Sequence, residues 1–328
     1  MILTTRASFV RTASAAGACA AFGVPRRVEA QNAKLVALRL ASSPDDDVTP
    51  ALYARQSGLF KNAGLTVTVD PLANGTAVAA AIAGGSIDIG KASLVSILNA
   101  HVRGVPFVIV APSGMADLRQ TNGGLLVLKD SGILTARDLN GKIVAVPALH
   151  DLQSLATQTW IDKNGGDSKT VAFVEEPGAA IGVALDTNRI AAGLLANPVA
   201  AQLLATGRYR SIAEPIQEGF NHLMVSAWIS MADWTAKNAD VVRRFGQAIV
   251  TATVYANAHP DKTVDLIAAF SGIDRATVAT MGRAAYATTL SPALVQPVID
   301  AAARYGAIPK AFSAVELFSP YAYGYTRS

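Results

Sequence analysis

The chain has 328 residues, of which 51% are hydrophobic and 16% charged, with a formal net charge of +4. That length fills one large core or two medium ones. The charge excess sits in the first thirty residues, where Arg6, Arg11, Arg26 and Arg27 face Glu29 alone; beyond them 24 Lys and Arg meet 23 Asp and Glu. A body so nearly neutral argues against nucleic acid or an anionic membrane as a partner.

Residues 1–30 read as an export signal. Arg6 and Arg11 flank its start, Ala13 to Val24 is small and apolar, and Val28-Glu29-Ala30 fits a small-x-small cleavage rule. Thr5 to Arg11 resembles a twin-arginine leader with Ala7 in place of the second arginine, which leaves the export route open. The sole cysteine, Cys19, lies in this segment, so a chain cut after Ala30 has no thiol for a disulfide, a zinc site or a nucleophile. Beyond the leader no run of about 18 apolar residues calls for a membrane span.

Short apolar strands then alternate with amphipathic helices, the pattern of βαβ units and a mostly parallel sheet. Strands are expected at Leu35–Leu40, Leu65–Asp70, Ser86–Gly90 and Val105–Ala111, with helices at Pro50–Ser57, Thr76–Ala83 and Ser93–Val102. A second set places strands at Leu125–Lys129, Lys142–Val146, Val171–Val174 and Ile190–Leu195. Its helices are Asp151–Lys163, Ala179–Thr187 and Pro198–Ala205, and Leu223–Met231 follows as a strand. From Ala232 onward the period is helical throughout, over 232–258, 261–270, 275–285 and 292–305, with no strand between. This order predicts an α/β protein of two lobes, each a mostly parallel sheet flanked by helices. The lobes are residues 31–122 plus 226–328, and residues 123–225. One continuous α/β domain is the alternative.

In open parallel sheets ligands lie beyond the carboxyl ends of the strands, beside helix amino ends that offer free N–H groups. The residues following each strand are therefore the candidate site. Ser43 and Asp45 follow the first strand, in a loop whose three adjacent carboxylates (Asp45, Asp46, Asp47) face water, a donor or a cation. Gly75 and Thr76 follow the second, where glycine lets backbone approach a ligand. Lys91 and Ser93 follow the third, and Ser113 the fourth. In the second set the candidates are His150, Asp151, Glu176 and Asn197. Each also has a plain reading as a helix cap or solvated side chain. His101, His150, His222 and His259 form no HxxxH pair, and no Walker A, GxSxG or strand-following GxGxxG occurs. No cofactor, metal or catalytic residue is expected.

Five segments in order resemble the nitrate/sulfonate/taurine-type periplasmic solute-binding proteins, which also include thiamine-precursor and riboflavin receptors. They are residues 50–60, residues 63–67, Ala80 to Gly90, Gly104-Val105-Pro106 and Ala136 to Val146 (ARDLNGKIVAV). The resemblance implies a two-lobe periplasmic binding fold of type II, a ligand clamped between lobes, no catalysis, and delivery to the membrane permease of an ABC importer. It implies a receptor acting as a monomer in the periplasm. Two alternatives stay open: an enzyme on the same fold, of the thiamine-pyrimidine synthase kind, and a ligand sensor for a receptor kinase. The chain departs from the family at Ala192, where many relatives carry Asp, and at Ala148-Leu149-His150-Asp151, where many carry Gly-Ser. Nitrate or sulfonate specificity therefore does not transfer. An aromatic or heterocyclic metabolite, or a larger carboxylate, suits amides, hydroxyls and carboxylates better than a small inorganic anion does.

Overall fold

The structure is a computed structural model and describes residues 35–325. The expected export signal, with Cys19 and the cleavage site at Ala30, lies outside the described residues.

The chain opens with β1 (Val36–Ser42), α1 (Thr49–Gln56), α2 (Leu59–Asn62), β2 (Leu65–Pro71), α3 (Gly75–Ala83), β3 (Ile89–Ser93), α4 (Leu94–Val102), β4 (Phe107–Pro112) and β5 (Gly114–Met115). It continues through β6 (Gly123–Leu128), β7 (Ile143–Val146), α5 (Leu152–Lys163), β8 (Ala172–Glu175), α6 (Gly178–Asp186), β9 (Ala192–Ala196), α7 (Val199–Ala205), β10 (Tyr209–Ser211) and α8 (Pro215–Phe220). It closes with β11 (Ser226–Met231), α9 (Ala232–Lys237), α10 (Ala239–Ala258), α11 (Val264–Ser271), α12 (Arg275–Thr280), β12 (Ala285–Tyr286) and α13 (Gln296–Arg304).

Two five-stranded sheets result, ordered β2-β1-β3-β11-β4 and β10-β6-β9-β7-β8. Both are mixed rather than purely parallel. β11 runs against β3 and β4, and β6 runs against β9 and β10, while the other neighbours pair in parallel. The opposed strand in each sheet is the one that enters from the other sheet, so its reversal follows from the path of the chain. The first sheet is covered on both faces. Leu38, Leu40, Val110 and Trp228 pack with Phe245 and Ile249 of α10 on one side of the first sheet, and Ile97, Leu98 and Ile299 lie on the other. The second sheet is likewise covered on both faces, by Trp160 and Ile161 of α5 and by Ile181 and Leu185 of α6.

Several expected boundaries moved: the strand expected at Leu223–Met231 starts at Ser226, and the helix expected over 232–258 breaks at Asn238. The third strand spans Ile89–Ser93 and not Ser86–Gly90, because Asp88 is held ahead of it by Arg39: the guanidinium reaches Asp88 Oδ1 at 2.6 Å and the Arg39 amide reaches Oδ2 at 2.8 Å. The helix expected over 275–285 stops at Thr280, and Ala285–Tyr286 pairs with β5 as a short strand. Arg283 and Ala284 are drawn instead to the buried Asp46 carboxylate, a contact across 237 positions of sequence that no local period reveals.

Candidate functional site

A cavity of about 390 Å³ opens where residues of the two sheets meet. Its first-sheet wall begins with the loop after β1. Ser43 Oγ donates to Asp45 Oδ2 at 2.6 Å, and Lys91 Nζ binds Asp45 Oδ1 and lies 3.9 Å from Asp47 Oδ2. Lys91 belongs to β3 itself and is only 2% exposed, so it is an internal counter-ion and not a free strand-end cation. Asp47 accepts from Ser226 Oγ at 2.7 Å and from Asn122 Nδ2 at 3.4 Å. Burial pushes the Asp47 carboxyl up to about 6, against the pull of Lys91 and the Ser226 hydroxyl; Asp45 and Asp46 add to the rise. Glycine is required opposite it, since a Cβ at Gly114 would collide with that carboxylate.

Gly75 also lines the cavity, where the amino end of α3 passes so close to β3 that an added Cβ would sit 3.3 Å from Ser93 N. Ser93 caps α4 by accepting from Ser96 N at 3.2 Å, and its hydroxyl donates across the cavity to Asp151 Oδ1. Asp151 caps α5, accepting from Leu152 N at 2.6 Å. Its burial raises the carboxyl pKa, which the Ser93 hydroxyl and the Leu152 amide oppose. The two halves also meet through further hydrogen bonds, these three among them. Asn74 Nδ2 donates to Pro147 O at 3.3 Å, Asn99 Nδ2 to His150 O at 2.8 Å, and Asp46 N to Asn197 O at 3.2 Å.

Asn197 lies on the wall, but its amide is engaged: Nδ2 donates to Gly282 O at 2.8 Å and Oδ1 accepts from Ala201 N at 3.1 Å. The amides left open belong to Asn122, Gln153 and Gln217, with the exposed Gln202 also on the wall. Asn122 Oδ1 and Gln153 Oε1 are buried without a hydrogen-bond partner, and Gln217, only 7% exposed, has no side-chain hydrogen bond among the described residues. Sequence reasoning did not single out these three, nor Ser226. Asn122 and Ser226 flank the chain's crossings, and Gln153 is the second residue of α5, a position that faces the cleft whenever its cap does. Nothing local marks Gln217.

Residues 45–263 match the family model described as NMT1/THI5 like. The chain belongs to that family. No curated protein matches significantly. Among solved structures, the alkanesulfonate-binding protein SsuA from Xanthomonas axonopodis pv. citri, bound to MOPS, superposes with a TM-score of 0.72 at 19% identity, over 87% of this chain and 98% of that one. The periplasmic nitrate-binding protein NrtA from Synechocystis PCC 6803 gives 0.72 at 13%, over 86% and 84%. The desulfurization enzyme DSZB gives 0.65 at 16%, over 87% and 96%. These likenesses establish the two-lobe periplasmic binding fold for this member of the NMT1/THI5-like family.

Seven of the eleven predicted residues share the cavity wall in this family member: Ser43, Asp45, Gly75 and Lys91, with Ser93, Asp151 and Asn197. Four do not line it. Thr76 is on the exposed side of the first turn of α3. Ser113 is buried behind the wall, its hydroxyl donating to Asp47 O at 3.4 Å. His150 is exposed, with a left-handed φ of 56°, and meets the other half only through its carbonyl. Glu176 pairs with Arg189 at 3.0 Å outside the cleft. Ala192, where many relatives were expected to carry Asp, is fully buried in β9.

Proposed function

We propose that this chain is the extracytoplasmic solute-binding receptor of an ABC importer. It closes on a small organic molecule between two lobes, residues 31–122 plus 226–328 and residues 123–225, and presents it to the permease as a monomer. The observation that carries the reading is the cavity: both sheets supply its walls, and among the described residues its rims are bridged by a few hydrogen bonds from side chains and from the backbone of Asp46 and Asn197. A ligand that touches both walls binds fully only when the halves meet, so it shifts the population toward the closed form that a permease reads. The alkanesulfonate- and nitrate-binding neighbours support this reading, as does the leader over residues 1–30, which would direct the chain to the periplasm with cleavage near Ala30. Among the described residues no helix is long and apolar enough to cross a membrane.

The receptor reading makes the protein non-catalytic. The cavity serines Ser43, Ser93 and Ser226 each donate to a carboxylate, and among the described residues no histidine stands on the wall to activate them. The DSZB likeness is the reason to test this directly. Purified protein incubated with its stabilising solute should return that solute unchanged, gain melting temperature and contract in small-angle scattering. A solute present at a hundred times its Kd stabilises by about 2.7 kcal/mol. Chemical conversion of the solute would replace the receptor with an enzyme.

A further inference from the structure

The charge of the cleft narrows what it holds, on the reading that the cleft is a receptor site. Three carboxylates stand on its wall, Asp45, Asp47 and Asp151, and Lys91 is the single cationic side chain among its described lining residues. That lysine is already bound to Asp45 and close to Asp47. Five helix amino ends reach the cleft, those of α3, α4, α5, α6 and α7, each bringing roughly half a positive charge. Four of them are already engaged by side chains of this chain, Asn74, Ser93, Asp151 and Asn197, which leaves that of α6 open at the wall. The hydrogen-bond inventory leans the same way. Asn122 is oriented by donating to Asp47, which leaves its Oδ1 as a buried acceptor with no donor; Gln153 Oε1 is a second. The buried, unpartnered amide of Gln217 faces the same space.

We propose that the cleft takes a small organic cation carrying N–H donors, an ammonium or amidinium group held by Asp45 and Asp47 with the free oxygens of Asn122 and Gln153, and that it rejects sulfonates, nitrate and carboxylates. Such a group supplies the positive charge and the donors that the walls lack; an anion would add charge where it is already in excess and leave the two amide oxygens unpaired. The raised pKa of Asp47 agrees with a carboxylate short of compensation in a desolvated place.

The test separates this from the receptor reading itself. A small-molecule extract of the source cells is split by charge at pH 7 into cationic, neutral and anionic fractions, and each is added to the purified protein in a thermal-shift assay. The expected result is stabilisation by the cationic fraction alone, with Asp45→Asn and Asp47→Asn each raising the half-saturating amount tenfold or more. Stabilisation by the anionic or neutral fraction overturns the charge assignment and leaves the receptor reading standing. A cationic fraction that stabilises both variants as well as it stabilises the parent overturns the placement at Asp45 and Asp47. Stabilisation by no fraction overturns the receptor reading, and this inference with it.

Discussion

Replacing Arg283 by methionine strands a buried carboxylate. Asp46 is fully buried and accepts from Arg283 Nε at 2.9 Å and Nη2 at 2.7 Å, while the arginine side chain is 12% exposed. After Arg283→Met the carboxylate keeps only two neutral donors, Ala284 N at 2.7 Å and Thr49 Oγ1 at 2.9 Å. Removing one partner of a buried pair costs about 3–5 kcal/mol, because the survivor is left charged in a dry place. Urea unfolding followed by tryptophan fluorescence should read a loss of that size, with the slope of the transition unchanged. The double variant Asp46→Asn/Arg283→Met removes the stranded charge, so it should be more stable than the sum of the two single losses predicts, by roughly 1–3 kcal/mol. A single-variant loss under about 1 kcal/mol, or losses that add within about 0.5 kcal/mol, would refute the argument. Asp46 sits between the two cavity carboxylates and donates its amide to Asn197 O, so Arg283→Met should also weaken ligand binding.

Three further outcomes are expected. Asp47 is held above its ordinary value, so the folded state binds a proton that the unfolded chain gives up near 3.8; stability contributed by this group is present below that pH and lost as pH rises to about 6. The change is on the order of 3 kcal/mol, and Asp47→Asn should flatten it in urea titrations between pH 4 and 7. Ser93→Ala removes the hydroxyl bridging to Asp151 and leaves a buried carboxylate short of a donor, which should cost about 1–3 kcal/mol and shift scattering toward the open form at subsaturating ligand. Gly90→Ala drives a methyl into Val78 and Ile82, forcing α3 off the sheet; a loss of about 1–3 kcal/mol is expected in the same unfolding assay, with the cavity carboxylates untouched.

Legibility in the sequence divides by range. The strands and helices around the first sheet are announced locally, by apolar runs such as Phe107–Pro112 and by stops such as Gly84-Gly85. The end of the first strand is announced with them, which places Ser43 and Asp45, while Ser93 reaches the same surface as the last residue of a strand expected to end at Gly90. What spacing does not carry is the direction in which a polar group points and which partner claims it. Asn197 and Lys91 are candidate ligand contacts by position, yet the side chain of the first is taken by Gly282 and Ala201 and that of the second by Asp45. Gln217 was passed over because a glutamine in a six-residue helix has no distinguishing neighbour, and its cavity exists only once α8 meets α5. The tail shows the same limit: the pull of Asp46 on Arg283 outweighs helical period at 281–285, and only the folded chain brings them together.

Several of the polar contacts that join the two halves are made by residues whose side chains are already fixed by local structure. Asn74 accepts from Ala77 N at 2.9 Å while donating to Pro147, Ser93 and Asp151 cap α4 and α5 while bonding each other, and Asn197 holds the first turn of α7 while its carbonyl receives Asp46. Ordering a free polar side chain at an interface costs about 0.5–1.5 kcal/mol. Caps hold these rotamers whether or not the halves touch, so little of that cost remains to be met at closure. Bridges of this kind are individually worth about 1 kcal/mol, and Leu152, Leu155 and Ala156 of α5 add apolar packing against the core of the first sheet. An occupant of the cavity adds to that balance. Its donors must satisfy Asn122 and Gln153, groups that no closure contact reaches.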